Sequence, residues 1–105
     1  MQMYELFLGR SIPSRVDVTD AEWRSFLDDT VSASLPNGYT VQDAYGAWLS
    51  PATQHTAREA TIVLRVALPD APESLAAINH IRTAYQARFH QQLVGMSVTP
   101  VCGSF

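Results

Sequence analysis

The segment Thr61-Ile62-Val63-Leu64-Arg65-Val66-Ala67-Leu68 constrains this chain more than any other. It is β-branched and almost continuously apolar, which suits a central strand covered at least in part on both faces. The rest of the chain must then supply the sheet around it. Tyr4-Glu5-Leu6-Phe7-Leu8 is short, aromatic and apolar, and Gly9-Arg10-Ser11-Ile12-Pro13-Ser14 breaks it into a loop. Tyr39 to Leu49 is rich in Thr, Val, Tyr and Trp and reads as a strand, weakened by Asp43 and Gly46. Ser50 to Thr56 is a polar loop with Pro51 as a turn residue, and Leu93 to Val101 gives the last strand.

Two helices separate these strands. Val18-Thr19-Asp20-Ala21-Glu22-Trp23 carries a capping box: Thr19 accepts from the Glu22 N–H, and the Glu22 carboxylate reaches back to the Thr19 N–H. Val18 and Trp23 stand where a hydrophobic staple places them. Trp23, Phe26, Leu27, Val31 and Leu35 continue at helical spacing until Pro36-Asn37-Gly38 stops them. Asp70-Ala71-Pro72-Glu73 repeats the start signal with an early proline. Leu75, Ile78, Ile81, Tyr85 and Phe89 mark the second buried stripe, with Arg88 and His90 in a last turn that favours positive charge.

The order β-α-β-β-α-β with right-handed crossovers predicts an α+β ferredoxin-like sandwich over residues 1–105, one domain with one core. Its four-stranded antiparallel sheet has strands one and three in the centre and both helices on one face. Alternation then sorts the side chains. Leu6, Leu8, Ile62, Leu64, Val66, Val94, Met96 and Val98 belong beneath the helices. Glu5, Phe7, Thr61, Val63, Arg65, Gly95, Ser97 and Thr99 fall on the opposite face, joined by Gln42, Gly46 and Trp48 if strand two is regular. A bulge near Asp43 to Gly46 would slip the register by one residue and turn Trp48 inward.

That open face is the candidate functional surface. Glu5 and Arg65 are expected opposite each other on neighbouring strands, and an exposed cross-strand pair contributes ~0.2–1 kcal/mol. The sharper alternative is a pocket or subunit interface in which Phe7, Val63 and Trp48 exclude water around the pair. A single sheet that shows aromatics and paired charges together calls for a cover.

The remaining chemistry-bearing residues point elsewhere or nowhere. A net charge of −3 with few, scattered Arg and Lys excludes a dedicated nucleic-acid binder. Cys102 is the only cysteine, so neither an internal disulfide nor a cysteine zinc site can form, and a semi-buried structural thiol is expected. His55, His80 and His90 show no ligand spacing, and Asp28-Asp29 reads as a solvated helix face. No metal, cofactor or catalytic motif is expected. No run is long enough to span a membrane. Met1 to Arg10 is too polar for a signal peptide, so the expected setting is cytoplasmic.

Glu5-Leu6-Phe7-Leu8-Gly9, then Asp20-Ala21-Glu22-Trp23 with Phe26-Leu27, opens a series of short strings in fixed order. Leu35-Pro36-Asn37-Gly38-Tyr39-Thr40-Val41 and Asp43-Ala44-Tyr45-Gly46-Ala47-Trp48 follow, then Arg58-Glu59. Ile78 to Arg82, Ala84-Tyr85, Arg88-Phe89 and Val101-Cys102-Gly103-Ser104-Phe105 complete it. Together they resemble a family of small bacterial proteins known as domain of unknown function three-five-seven-four. The resemblance implies no established activity. It draws attention to Tyr45, Gly46, Trp48, Arg58 and Glu59 around the second hairpin, where they would close one end of the open face. It also implies that many relatives are exported or lipid-anchored. His90-Gln91-Gln92 departs from the family, which has a Gly-Gln-Glu-like turn there.

Three functions fit these features. The first is a ligand-binding or assembly module, homodimeric through the open face, whose ligand residues are Glu5, Phe7, Tyr45, Trp48, Arg58 and Arg65. The second is a cofactor-independent monooxygenase or isomerase of the dimeric α+β-barrel kind. Its base would be Glu5 or His55, with Arg65 or Arg58 holding an anionic substrate and Tyr45 or Trp48 lining the pocket. The third is a regulator that binds a protein partner through the acidic first helix, with Asp20, Glu22, Asp28 and Asp29.

Overall fold

The computed structural model describes residues 1–104; Phe105, which ends the closing string of the family resemblance, lies outside the described residues. Strands β1 (Gln2–Gly9), β2 (Thr40–Leu49), β3 (Thr56–Leu68) and β4 (Gly95–Pro100) form one sheet in the order β2-β3-β1-β4. All three ladders are antiparallel, so β1 and β3 are the central strands and the ferredoxin-like reading holds. β3 is five residues longer at its start than its apolar run. Thr56 to Ala60 pair only with β2, in a hairpin that projects beyond the rest of the sheet.

The first helix, α1, opens as an α-helix over Asp20–Phe26, passes through a π-helical turn at Leu27–Val31 and closes over Ser32–Ser34. Its capping box is complete: Glu22 N donates to Thr19 Oγ1 at 3.1 Å, and Thr19 N donates to Glu22 Oε1 at 3.0 Å. Val18 and Trp23 are both buried, as the staple requires. The π-turn inserts one residue into the stripe, so Thr30 and Val31 are both buried in succession and Leu27 is only half-buried. Gly38 at φ 116° takes the left-handed position just past the helix, which a side chain would strain.

The second helix, α2 (Pro72–Phe89), differs from expectation at its start. Asp70 does not cap it; the cap position is Ala71, with no side-chain hydrogen bond, and Pro72 sets the first turn. The stripe that results is Ser74, Ile78, Ile81, Tyr85 and Phe89, and Leu75 faces solvent. At the other end His90 adopts the left-handed conformation at φ 53°.

Both helices lie on one face of the sheet. Leu6, Leu8, Ile62 and Leu64 from the central strands are sealed beneath Phe26, Val31, Ile78 and Ile81. Each such side chain contributes ~1.5–3 kcal/mol of burial. Trp23, Phe26, Tyr85 and Phe89 form an aromatic cluster with neighbouring centroids 4.9–6.1 Å apart. Val98 has the expected parity but stays exposed, because it stands on the β4 edge beyond the helices' cover.

Candidate functional site

Strand two is regular from Thr40↔Arg65 to Leu49↔Thr56, with no bulge at Asp43 to Gly46. Trp48 therefore stands on the open face with Gln42. Glu5 pairs with Arg65 on one side and Ser97 on the other, as the alternation predicts. Arg65 Nε donates to Glu5 Oε2 at 2.8 Å, and Arg65 Nη1 donates to Gln42 Oε1 at 2.6 Å. Ser97 Oγ donates to Glu5 Oε1 at 3.4 Å. Gln42, Arg65, Glu5 and Ser97 thus form one hydrogen-bonded line across all four strands.

Phe7 occupies the next row, between Val63 and Gly95, and is 42% exposed. Gly95 leaves room for it: a Cβ there would sit 3.4 Å from the Phe7 ring. Trp48 is 47% exposed on the same face, but it pairs with Ala57 on the projecting hairpin. Six residues of strand separate it from Gln42, about 20 Å at ~3.3 Å per residue. Trp48 shares the face and does not enclose the charge pair of its own chain.

The other sequence candidates divide differently. Tyr45 and Arg58 have the opposite parity from Trp48 and lie on the helix-facing side of the hairpin, past the end of the helices. Tyr45 is 89% exposed and Arg58 is also exposed. Neither joins Glu5, Phe7 and Arg65. His55 lies at the hairpin tip, roughly 30 Å of strand from Arg65, so one chain cannot use it with Glu5. Cys102 is exposed, against the expected semi-buried thiol. Asp29 is not simply solvated: it accepts from Arg88 at 2.9 Å and ties the two helices together. That contact holds its carboxyl below the usual range, the Arg88 hydrogen bond acting first.

Glu59 gains importance in three dimensions. Its carboxylate lies so close over Gly9 that a Cβ there would meet Oε1 at 2.6 Å, and its Oε2 accepts from Ser11 N at 3.1 Å. Glu59 therefore clamps the start of the β1–α1 loop onto the hairpin. On the other side of the same segment, Tyr85 Oη donates to the Gly9 carbonyl at 2.7 Å.

A second concavity lies across the sheet, on the helix side. A groove of about 350 Å³ separates α1 from the β2 edge; Trp23, Leu27, Val41 and Ile62 form its apolar lining, and Arg24 and Asp43 are among its polar residues. Arg10 and Asp20 also line it, but they satisfy each other at 2.8 Å. Arg10 is the main reason that the Asp20 carboxyl is held below its usual range. Among the described residues no group of three or more metal-ligating side chains occurs, and no helix is long and apolar enough to cross a membrane.

The fold is shared with solved structures of low identity. A phage SAM lyase in complex with S-methyl-5'-thioadenosine superposes with TM-score 0.69 at 10% identity, covering 93% of this chain and 79% of that one. The periplasmic divalent cation tolerance protein CutA from Archaeoglobus fulgidus gives TM-score 0.58 at 8% identity, covering 100% and 88%. The B. subtilis GlnK–ATP complex gives 0.51 at 10% identity, covering 96% and 84%. These likenesses establish the fold alone. A search of curated proteins found no match. The model of one sequence family, described as a protein of unknown function (DUF3574), matches residues 3–105, and the chain belongs to that family.

Proposed function

We propose that the chain is a small-ligand-binding module that pairs with a second copy through its open sheet face. One observation carries this reading: the Gln42–Arg65–Glu5–Ser97 line runs across a face whose aromatic neighbours, Phe7 and Trp48, are each nearly half exposed. Helices cover only the other face. A second sheet stacked on this one would bury Phe7, which is 42% exposed, over a Val63 that is already buried. It would also bring the Trp48 of each projecting hairpin toward the charge pair of the other copy, which its own chain cannot do. Removing water strengthens the Glu5–Arg65 pair and turns it into a polarised anchor for a ligand.

The ligand class to test first is adenosine-bearing. A structural neighbour holds S-methyl-5'-thioadenosine and another holds ATP, both on this fold. Phe7 and Trp48 offer flat surfaces for a base, and the Glu5 carboxylate can accept from a ribose diol. A cytoplasmic setting fits such ligands.

Native mass spectrometry of the gently purified protein reads subunit number and retained mass together. A dimer that Trp48→Ala converts to monomer supports the proposal, as does mass retained after adding ATP or S-methyl-5'-thioadenosine. A monomer at micromolar concentration that retains neither compound refutes it. Incubation with S-adenosylmethionine in the same experiment separates binding from turnover, because an enzyme would release product mass.

A further inference from the structure

We infer that β2 pairs edge to edge with the β2 of a second copy, antiparallel and with Tyr45 on the two-fold axis, joining two sheets into one. β2 is an edge strand of 10 residues that hydrogen-bonds only to β3. Ser50 N donates to the His55 carbonyl at 2.9 Å, so the even positions of β2 bond to β3. The odd ones, Val41, Asp43, Tyr45, Ala47 and Leu49, turn their N–H and C=O groups outward. Natural edges are blunted with proline, lysine or a bulge. The β4 edge follows that rule: it has 6 residues, and Pro100 removes an N–H from its outward side. β2 has no proline, no lysine and no bulge.

The edge is also complementary to itself. With Tyr45 opposite the partner's Tyr45, every outward position meets an outward position, and no other register uses all of them. Val41 then faces the partner's Leu49, an apolar pair in which the two residues are 37% and 62% exposed in the single chain. Asp43, the one charge of the strand, faces the partner's Ala47. Arg58 is the β3 neighbour of Ala47, so the partner's Arg58 can reach Asp43 across that small residue, and the symmetry repeats the contact. Among the described residues neither Arg58 nor Asp43 makes a salt bridge within its own chain. A register centred on Asp43 would instead oppose two carboxylates. On the other side of the strand Trp48 comes opposite the partner's Gln42, the outer end of the Arg65–Glu5 line. This contact lies in the plane of the sheet and leaves the open face bare, so it stands apart from the stacking proposed above.

Disulfide cross-linking reads the register directly. Cys102 is exposed, so the background is Cys102→Ser. Tyr45→Cys places two thiols on the axis with Cα atoms about 5.5 Å apart, within disulfide range. Ala47→Cys places them four residues out of step, about 13 Å apart. Mild oxidation should therefore cross-link the first at least about ten-fold faster than the second. Native mass spectrometry of Tyr45→Glu gives the second reading, since its carboxylates would meet on the axis beside both Asp43 side chains. The variant should halve the subunit number: tetramer to dimer if the open faces also stack, dimer to monomer if they do not. Tyr45 is 89% exposed, so an unchanged circular dichroism spectrum certifies the fold of each variant. A monomeric parent, equal cross-linking at positions 45 and 47, or a subunit number that Tyr45→Glu leaves unchanged would overturn the inference. A dimer untouched by Tyr45→Glu would leave the stacked pair standing, because stacking keeps position 45 on its outer side.

Discussion

Tyr85→Phe removes one oxygen from a fully buried ring and isolates the contact that joins α2 to the end of β1. Arg10 N donates to the Ala60 carbonyl at 2.9 Å, so the carbonyl of the same peptide, that of Gly9, points away from β3 toward the β4 side. β4 reaches only as far as Gly95, opposite Phe7, and offers that carbonyl no ladder partner. The Tyr85 hydroxyl fills the gap at 2.7 Å. Phenylalanine preserves the ring packing against Trp23, Phe26 and Phe89, so the loss is that of the hydrogen bond plus a carbonyl stranded under the helix. Such a loss costs about 1–3 kcal/mol. Taking ~1.5 kcal/mol, Tm should fall by roughly 6–12 °C for a domain of this size. Urea unfolding should show a lower midpoint with an unchanged m value. A midpoint within error of the parent would refute the reasoning, because it would mean that water already reaches the Gly9 carbonyl. The same burial pushes the Tyr85 phenol well above its usual value of 10. The folded state therefore holds that proton more tightly than the unfolded chain. Stability from this group is intact below pH 10 and is lost as pH rises beyond it, a loss that Tyr85→Phe should abolish.

Further predictions follow from other contacts. The Glu22 carboxyl is lowered from 4.5 to about 2, first by the Arg15 side chain and then by the Thr19 N–H. Its stabilising effect is present above pH 4.5 and disappears as pH falls toward 2, so Glu22→Gln should flatten acid unfolding, followed by circular dichroism, in that window. His90 holds a left-handed φ of 53° where glycine is favoured, and His90→Gly should raise stability by up to about 1 kcal/mol in urea melts. A Glu5→Gln, Arg65→Met double-mutant cycle should give a coupling of ~0.2–1 kcal/mol while the face is open to water. The coupling should grow at protein concentrations where native mass spectrometry detects the dimer, and a concentration-independent value would count against pairing through this face.

Much of the sheet was readable because strand parity is a hard constraint. Once Thr61 to Leu68 is a central strand, Glu5 and Arg65 must share a face, and Leu6 and Leu64 the other. Parity carried further than it was taken: Tyr45 and Trp48 lie three residues apart in one strand, so they cannot share a face, and Arg58 follows Tyr45. Distance along the strand likewise separates Trp48 from the charge pair before any packing is considered. The helices were less legible. The start of α2 follows Pro72 and Ala71, not the apolar count, which is how Ser74 replaced Leu75 in the buried stripe. The π-turn at Leu27–Val31 has no signature in single residues, because the packing of Val31 and Thr30 against the sheet and α2 selects it.

The groove was invisible for a different reason. Its two walls, Arg24 on α1 and Asp43 on β2, belong to no shared motif, and only the docking of a helix beside an edge strand sets them across from each other. The same docking explains why Asp43, which weakens β2 as a strand by propensity, is tolerated there. Val41 and Asp43 occupy equivalent positions in the alternation, and both stay exposed because α1 stops short of the edge. An aspartate at a truly covered position would need a buried partner, and none is offered. The gap between α1 and β2 thus accounts for the strand-disfavouring residue and for an Arg24 that makes no salt bridge among the described residues. A change that closes it is the sharpest check on that account. Asp43→Leu should raise the urea midpoint, because β2 exchanges a strand-disfavouring residue for one that packs beside Val41. A midpoint at or below that of the parent would show that Asp43 is held by a partner and is not merely tolerated beside an open gap.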